Sequence, residues 1–379
     1  MAALEDIIRD EIEHKGSIPF ERFMELALYH PARGYYRRGR ETPRTGRKGD
    51  FFTSVSTGPL FGRLLARQFL EMWERMEKPA PFWIVEQGAE NAWLACDILA
   101  WCRDEAPDFF AALRYGIFEI DSSMRDEQEK VLEAAGFEKK VRWMAGVEAW
   151  ESKDKPIGVF FSNELVDAFP VHRVVRRGGE WLEFHVTLDE RGRFAWCERE
   201  IRNVALAGAV QELPALDGYA TEINLRARSW MEWLAQTWPW GYVVTIDYGF
   251  PASIYYEVFR KSGTLSGYKE HRRVDDILAE PGSCDLTAHV DFTALARIGE
   301  KEGLVMLGFL DQQHFLTGIA HDELEGRAGP KAGIAENLRA WQTLTHPDYL
   351  GTRFQVLLQA KNAPGSLAGL RYARPGGLD

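Results

Sequence analysis

The sequence predicts an α/β fold, a doubly wound, mostly parallel seven-stranded sheet with N-terminal helices and an inserted subdomain. Three observations carry this. Short apolar runs at 82–87, 115–120, 140–144, 157–162 and 242–247 alternate with helical patterns, as βαβ units covered on both faces do. Two further strand-like runs, 304–309 and 353–360, follow. Between the fourth and fifth runs, HRVVRRGGEWLEFHVTLDERGRFAWCERE reads as a small antiparallel meander, with Gly178 and Gly179 at a hairpin turn.

Each element has its own signal. Leu4, Ile7, Ile8 and Ile12 mark one face of a first helix. A second starts near Pro19, turns Phe20, Phe23, Met24 and Ala27 inward, and stops before Pro31. The stretch from Arg33 to Asp50 holds seven Arg or Lys residues; a solvated loop is the plain reading, a lid or docking loop the sharper one. Residues 60–73 are helical by period, and a helix of about 222–238 closes the insertion. The expected organisation is 1–60, N-terminal helices and basic loop; 61–170, first half of the core; 171–238, inserted meander and helix; and 239–379, second half of the core.

Composition bounds the function. The chain has 379 residues, 45% apolar and 27% charged, the balance of a globular protein. A net charge of −11 argues against a nucleic-acid partner, whose phosphates would repel it. Cysteines at 96, 102, 197 and 284 have neither zinc-site nor disulfide-framework spacing, which points to a reducing compartment. No apolar run reaches the roughly 18 residues of a membrane span. The N-terminus is acidic and amphipathic, unlike a signal or transit peptide, so a cytoplasmic protein is expected. Oligomeric state is left open.

The candidate chemistry collects at strand ends. In FWIVEQGAENAWLACDIL, Glu86 and Gly88 close the first strand and a helix follows. Glu119, at the end of the second strand, stands where doubly wound folds bind ribose hydroxyls, although the spacing exceeds the usual ~20 residues. Glu90 and Ala92 replace the glycines a pyrophosphate would need, which disfavours NAD or FAD. S-adenosylmethionine (SAM), which has no phosphate, tolerates the change better. Glu90 is expected to turn outward at the helix start and Trp93 to pack beneath the helix. After the fourth strand, Asn163, Glu164 and Asp167 crowd one end. They read either as a polar site or as a helix cap and first turn. Asp247 and Tyr248 end the fifth strand beside them, and the polar excursion 263–292 carries His271, Asp285, Thr287 and His289. No HExxH, GxSxG or Walker loop occurs, and no metal site is expected.

Motifs in one order over about residues 15–360 carry a resemblance. FMELALYHPARGYY, GDFFTS, LFGRLLARQ, SNELVDAFPVHR, VTIDYG, GTLSGYKEH, CDLTAHVDF and RFQVLLQAK resemble the MidA-type family of SAM-dependent methyltransferases, which includes mitochondrial complex I assembly factors. The resemblance implies a class I methyltransferase (Rossmann-like) sheet, SAM as cofactor, and methylation of an arginine on a protein partner such as a respiratory-complex subunit. It maps the cofactor loop to Glu86 and Gly88, the ribose acid to Glu119, and the GDF-TS segment to Asp50, Phe51, Thr53 and Ser54. The motif after the fourth strand maps to Asn163, Glu164, Asp167 and Pro170. The chain departs from the family at GAENA, where Gly-Pro-Gly-x-Gly is usual, and at Val55-Ser56, where Pro-Glu is usual. Glu86, Gly88, Glu119, Asn163, Phe51 and Thr53 are the expected cofactor residues. Glu164, Asp167 and Asp247 are the expected catalytic acids, because paired carboxylates can clamp a guanidinium. The rival readings are a non-catalytic assembly factor with a degenerate SAM pocket and a methyltransferase of a small molecule.

Overall fold

The computed structural model describes residues 3–37, 53–119, 121–144, 156–270, 272–374 and 377–378. By packing, the chain divides into two compact units. One gathers Met1–Phe52, Val166–Trp230 and Phe250–Asp291; the other gathers Thr53–Leu165, Met231–Gly249 and Phe292–Asp379.

The second unit holds the main sheet. Its strands are β1 (Phe82–Gln87), β2 (Leu113–Phe118), β3 (Val141–Met144), β4 (Ile157–Asn163), β5 (Trp240–Phe250), β6 (Val305–Asp311) and β7 (Phe354–Lys361). They lie in the order β6-β7-β5-β4-β1-β2-β3. The pairs from β5 through β4, β1 and β2 to β3 are parallel, and β7 runs antiparallel to both β5 and β6. This is the class I methyltransferase sheet, Rossmann-like and seven-stranded along that path.

The apolar runs are continuous because both faces are covered. In β4, Phe161 meets Phe69 of the helix Leu60–Arg75 at 5.2 Å between ring centroids. Its neighbour Phe160 points the other way, to Trp238, at 6.0 Å. Tyr115, Phe82 and Phe109 are fully buried in the same core. β2 begins two residues before its apolar run, because the helix Pro107–Ala112 passes directly into it.

The other unit is built on antiparallel pairing. His172–Arg177 and Glu180–Leu188 form a hairpin through Gly178 and Gly179, whose φ angles of +56° and +93° suit a tight turn. Phe194–Glu200, Ala220–Ile223 and the short Ile18–Pro19 complete that sheet. The helices Leu4–Lys15 and Phe20–Tyr29 set Ile8, Ile12, Phe20, Phe23 and Met24 against Val171, Val186, Leu278 and Leu286. Arg226 binds both Glu21 and Glu25 of the second helix, at 2.5 and 2.6 Å.

Candidate functional site

Strand register places the main-sheet candidates at two successive levels of the sheet. Gln87 pairs with Phe118 and with Ser162, and Asn163 pairs with Ile246. One residue onward, Gly88 and Glu119 stand level with Asn163, and Glu164 and Asp247 come one residue later. Glu164 lies past the end of β4, while Asp247 is still paired with Gln355 inside β5. All lie toward the carboxyl ends of the parallel strands, where open α/β sheets bind ligands.

The loop after β1 keeps a glycine-like course without the glycines. Gly88, Glu90 and Ala92 all adopt positive φ, at +84°, +44° and +60°. A Cβ on Gly88 would also meet Leu165 Cδ1 at 3.2 Å. The two positions at which the family usually has glycine thus retain left-handed backbone while carrying side chains, at a cost of roughly 1–2 kcal/mol each. The helix Trp93–Glu105 follows. Trp93 is 42% exposed, so the expectation that it packs beneath the helix is corrected: it opens the first turn facing solvent. Glu90 is half-buried and close enough to Glu164 to disfavour its ionisation, rather than turned away from the strand ends.

Glu86 is buried, and its Oε2 accepts a hydrogen bond from Tyr115 Oη at 2.7 Å. Burial pushes its carboxyl up to about 7, against the lowering effect of that bond. Glu119 is held at both oxygens: Oε1 accepts from the Asp121 N–H at 2.9 Å and Oε2 from Gln128 Nε2 at 3.4 Å. Asp121 caps the helix Ser122–Ala135, which begins there. Nothing in the sequence pattern singled out Gln128, a polar residue in a helix, yet it is fully buried.

No helix follows β4, so the cap reading of Asn163, Glu164 and Asp167 does not hold. Glu164 instead takes φ +53°, a left-handed conformation rare outside glycine. Its Oε1 accepts from Asn163 Nδ2 at 3.1 Å, and the Ser54 N–H also reaches its carboxylate. Burial first, then the charges of Asp247 and Glu90, outweigh those bonds and push the Glu164 carboxyl up to about 8. Asp247 is fully buried. Oδ2 accepts from the Leu165 N–H at 3.1 Å and Oδ1 from the Tyr248 N–H at 2.8 Å, which ties the segment after β4 to β5. Asp247 and Tyr248 do not end the fifth strand as expected, since β5 runs on to Phe250.

Thr53 and Ser56 brace each other: Thr53 N–H donates to Ser56 Oγ at 2.8 Å, and Ser56 Oγ donates to the Thr53 carbonyl at 2.8 Å. Where the family usually has glutamate, Ser56 thus holds the turn that presents Ser54. Phe51 and Asp50, with most of the basic loop, lie outside the described residues. Asp167 is buried in the other unit, where its carbonyl accepts from the Ala288 N–H at 2.9 Å. There Tyr36 Oη donates to Asp285 at 2.9 Å, and burial, with Asp285 and Asp167 nearby, raises the hydroxyl pKa of both Tyr29 and Tyr36.

These residues fit an adenosyl cofactor. Asn163 Oδ1 is buried without a hydrogen-bond donor, a vacancy suited to an ammonium or hydroxyl. Glu119 stands just past the carboxyl end of β2, where doubly wound folds place the acid that binds ribose hydroxyls. Nothing in the loop after β1 offers the backbone approach that a pyrophosphate requires. Among the described residues, no group of three or more His, Cys, Asp or Glu is placed to hold a metal ion, and no helix is long and apolar enough to cross a membrane.

Comparison with known proteins agrees with this reading. Residues 64–310 match the family model of S-adenosyl-L-methionine-dependent methyltransferases. Protein arginine methyltransferase NDUFAF7, mitochondrial, of Rattus norvegicus is 28% identical over 374 residues, covering 91% of this chain and 81% of that protein. The Drosophila melanogaster homolog is 28% identical over 393 residues, covering 95% and 85%. A Burkholderia thailandensis protein solved with S-adenosyl-homocysteine bound shares the fold with a TM-score of 0.85 at 29% identity, covering 98% of this chain and 95% of that one. The expectation of a cytoplasmic protein is corrected by these relatives, because the rat, mouse, human and bovine proteins are mitochondrial. With its sheet order, its cluster of acids and a family match across most of its length, the chain belongs to the MidA-type family of S-adenosyl-L-methionine-dependent methyltransferases.

Proposed function

We propose that this SAM-dependent methyltransferase acts on an arginine of a protein partner, a respiratory-complex subunit being the class its resemblance implies. The observation that carries the reading is the environment of Glu164. Burial raises its pKa most, and the charges that add to it are those of Asp247 and Glu90, both acids. A carboxyl so placed is stabilised by an incoming cation, and a guanidinium supplies one together with N–H donors in a planar fork.

The cofactor supplies an electrophilic methyl group on a sulfonium. The protein's part is positioning and proton handling. Glu119 and Asn163 hold the cofactor side, with Gly88 giving the loop its turn and Glu86 bracing β1 through Tyr115. Glu164 accepts guanidinium N–H groups, localises their charge, and takes at Oε the proton released when the N–C bond forms. Raised to about 8, the carboxyl is protonated near neutrality while the site is free of a cation; an arriving guanidinium favours its ionised form, and the carboxylate so formed is the group that takes the proton. Asp247 fixes the backbone on which Glu164 stands. The role of Asp167 is to be read from methyl transfer by Asp167→Asn.

The test is a transfer assay with labelled SAM and a lysate, followed by acid hydrolysis of the labelled protein band. Methylarginine is the expected product. Label confined to the low-mass fraction would overturn the protein acceptor and favour a small-molecule nucleophile.

A further inference from the structure

We infer that Gln128 is a positioning residue for cofactor binding, acting through Glu119 and the loop after β1. It lies in the helix Ser122–Ala135 and is fully buried. A long polar side chain is rarely enclosed unless its amide is used, and here every part of the amide is used. Nε2 donates to the Glu90 carbonyl at 3.1 Å and to Glu119 Oε2 at 3.4 Å, while Oε1 accepts from Trp143 Nε1 at 2.8 Å. One side chain thereby joins the loop after β1, the acid after β2 and the indole of β3.

The orientation of the amide is determined. Trp143 Nε1 can only donate, so it selects the carbonyl end of Gln128. That choice turns both amide hydrogens toward two acceptors, the Glu90 carbonyl and the Glu119 carboxylate. The Glu90 carbonyl belongs to a residue in left-handed backbone, so this bond holds the loop in a conformation its own sequence disfavours. The Glu119 bond occupies one oxygen from below, and the Asp121 N–H occupies the other. The carboxylate is therefore set in one rotamer before any ligand arrives. Preorganisation of this kind appears as affinity, because the free side chain does not have to be ordered on binding.

This inference rests on Glu119 as the ribose acid, and a double-mutant cycle separates the two ideas. Calorimetric titration with S-adenosyl-homocysteine is made on the full chain for wild type, Gln128→Met, Glu119→Ala and the double variant. Methionine keeps the length and volume of Gln128 and removes its hydrogen bonds. Gln128→Met is expected to weaken binding about five- to tenfold, the range of one or two lost hydrogen bonds. In the Glu119→Ala background the same change should cost less than about half of that on a logarithmic scale. An equal loss in both backgrounds, or none in either, overturns the proposal. Unchanged affinity in Glu119→Ala alone overturns the ribose-acid reading and removes the route through that acid. If Gln128→Met does not fold, Trp143→Phe serves instead: it retains the packing, frees the amide to rotate, and should weaken binding two- to threefold in the presence of Glu119 only.

Discussion

Glu164→Gln is the perturbation that tests the cluster of acids most directly. The folded protein raises this carboxyl from an ordinary 4.5 to about 8. A raised pKa means that the folded state favours the protonated form. The contribution to stability is complete below pH 4.5 and is lost as the pH rises through about 8. Each unit inside that window is worth about 1.4 kcal/mol for a fully shielded group, or about 2.7 kcal/mol between pH 5 and 7. Glu164 is only partly buried by its exposed area, so solvent screening brings the expected figure to about 1 kcal/mol. Glutamine retains the shape and does not titrate. Urea denaturation at half-unit steps should show wild type and variant equal near pH 4.5, with the variant gaining stability progressively to pH 8. Glu86, raised to about 7, and Asp97, raised to about 6, also titrate in this range, but both are common to the two proteins and cancel in the difference. The variant should bind S-adenosyl-homocysteine as wild type does and lose methyl transfer. Parallel stability curves, or full transfer by the variant, would refute the placement of Glu164 in a pocket of acids.

Two further outcomes follow from the same strand ends. Glu90→Gly should stabilise the protein by about 1 kcal/mol through relief of its positive φ, whereas Ala92→Gly should be nearly neutral, because the buried methyl it loses is worth about 0.8 kcal/mol. Thermal denaturation distinguishes the two, and equal shifts would show that backbone strain is not the cause; the pair together should also tighten SAM binding modestly by calorimetry. Asp247→Ala leaves the Leu165 and Tyr248 N–H groups without their acceptor and should cost about 2–4 kcal/mol in urea denaturation, with Asp247→Asn losing about half as much.

The sheet was legible in the sequence because its strands are buried on both sides and therefore read as unbroken apolar runs, as Val159, Phe160 and Phe161 do. Gly88 was legible because a glycine between strand and helix has few other uses. The local conformation of Glu164 was not. A polar triplet after a strand fits a helix cap equally well, and only the tertiary pull of Asp247 on the Leu165 N–H decides for the turn. Trp93 misled because large aromatic residues are usually covered, yet here the indole stands at a helix start whose inner positions are filled by Leu94, Ala95 and Ile98. Gln128 was invisible for the opposite reason. Glutamine in a helix ordinarily faces water, and its three partners come from segments that no local pattern links.

The position of β7 carries a consequence for biogenesis. It lies between β5 and β6 although it follows both in the chain. On the ribosome, the backbone of β5 from Gly241 to Tyr248 emerges with the ladder groups destined for β7 still open. β6 emerges before its partner, since among the described residues its register is written against β7. The nascent molecule therefore passes through a stage with two unsatisfied edges flanking an empty slot the width of one strand. Such a slot accepts any extended segment of the right polarity, including the same strand from another copy. The slot closes only when Phe354–Lys361, the keystone strand, is made, so strand order sets how late in synthesis the sheet can be completed.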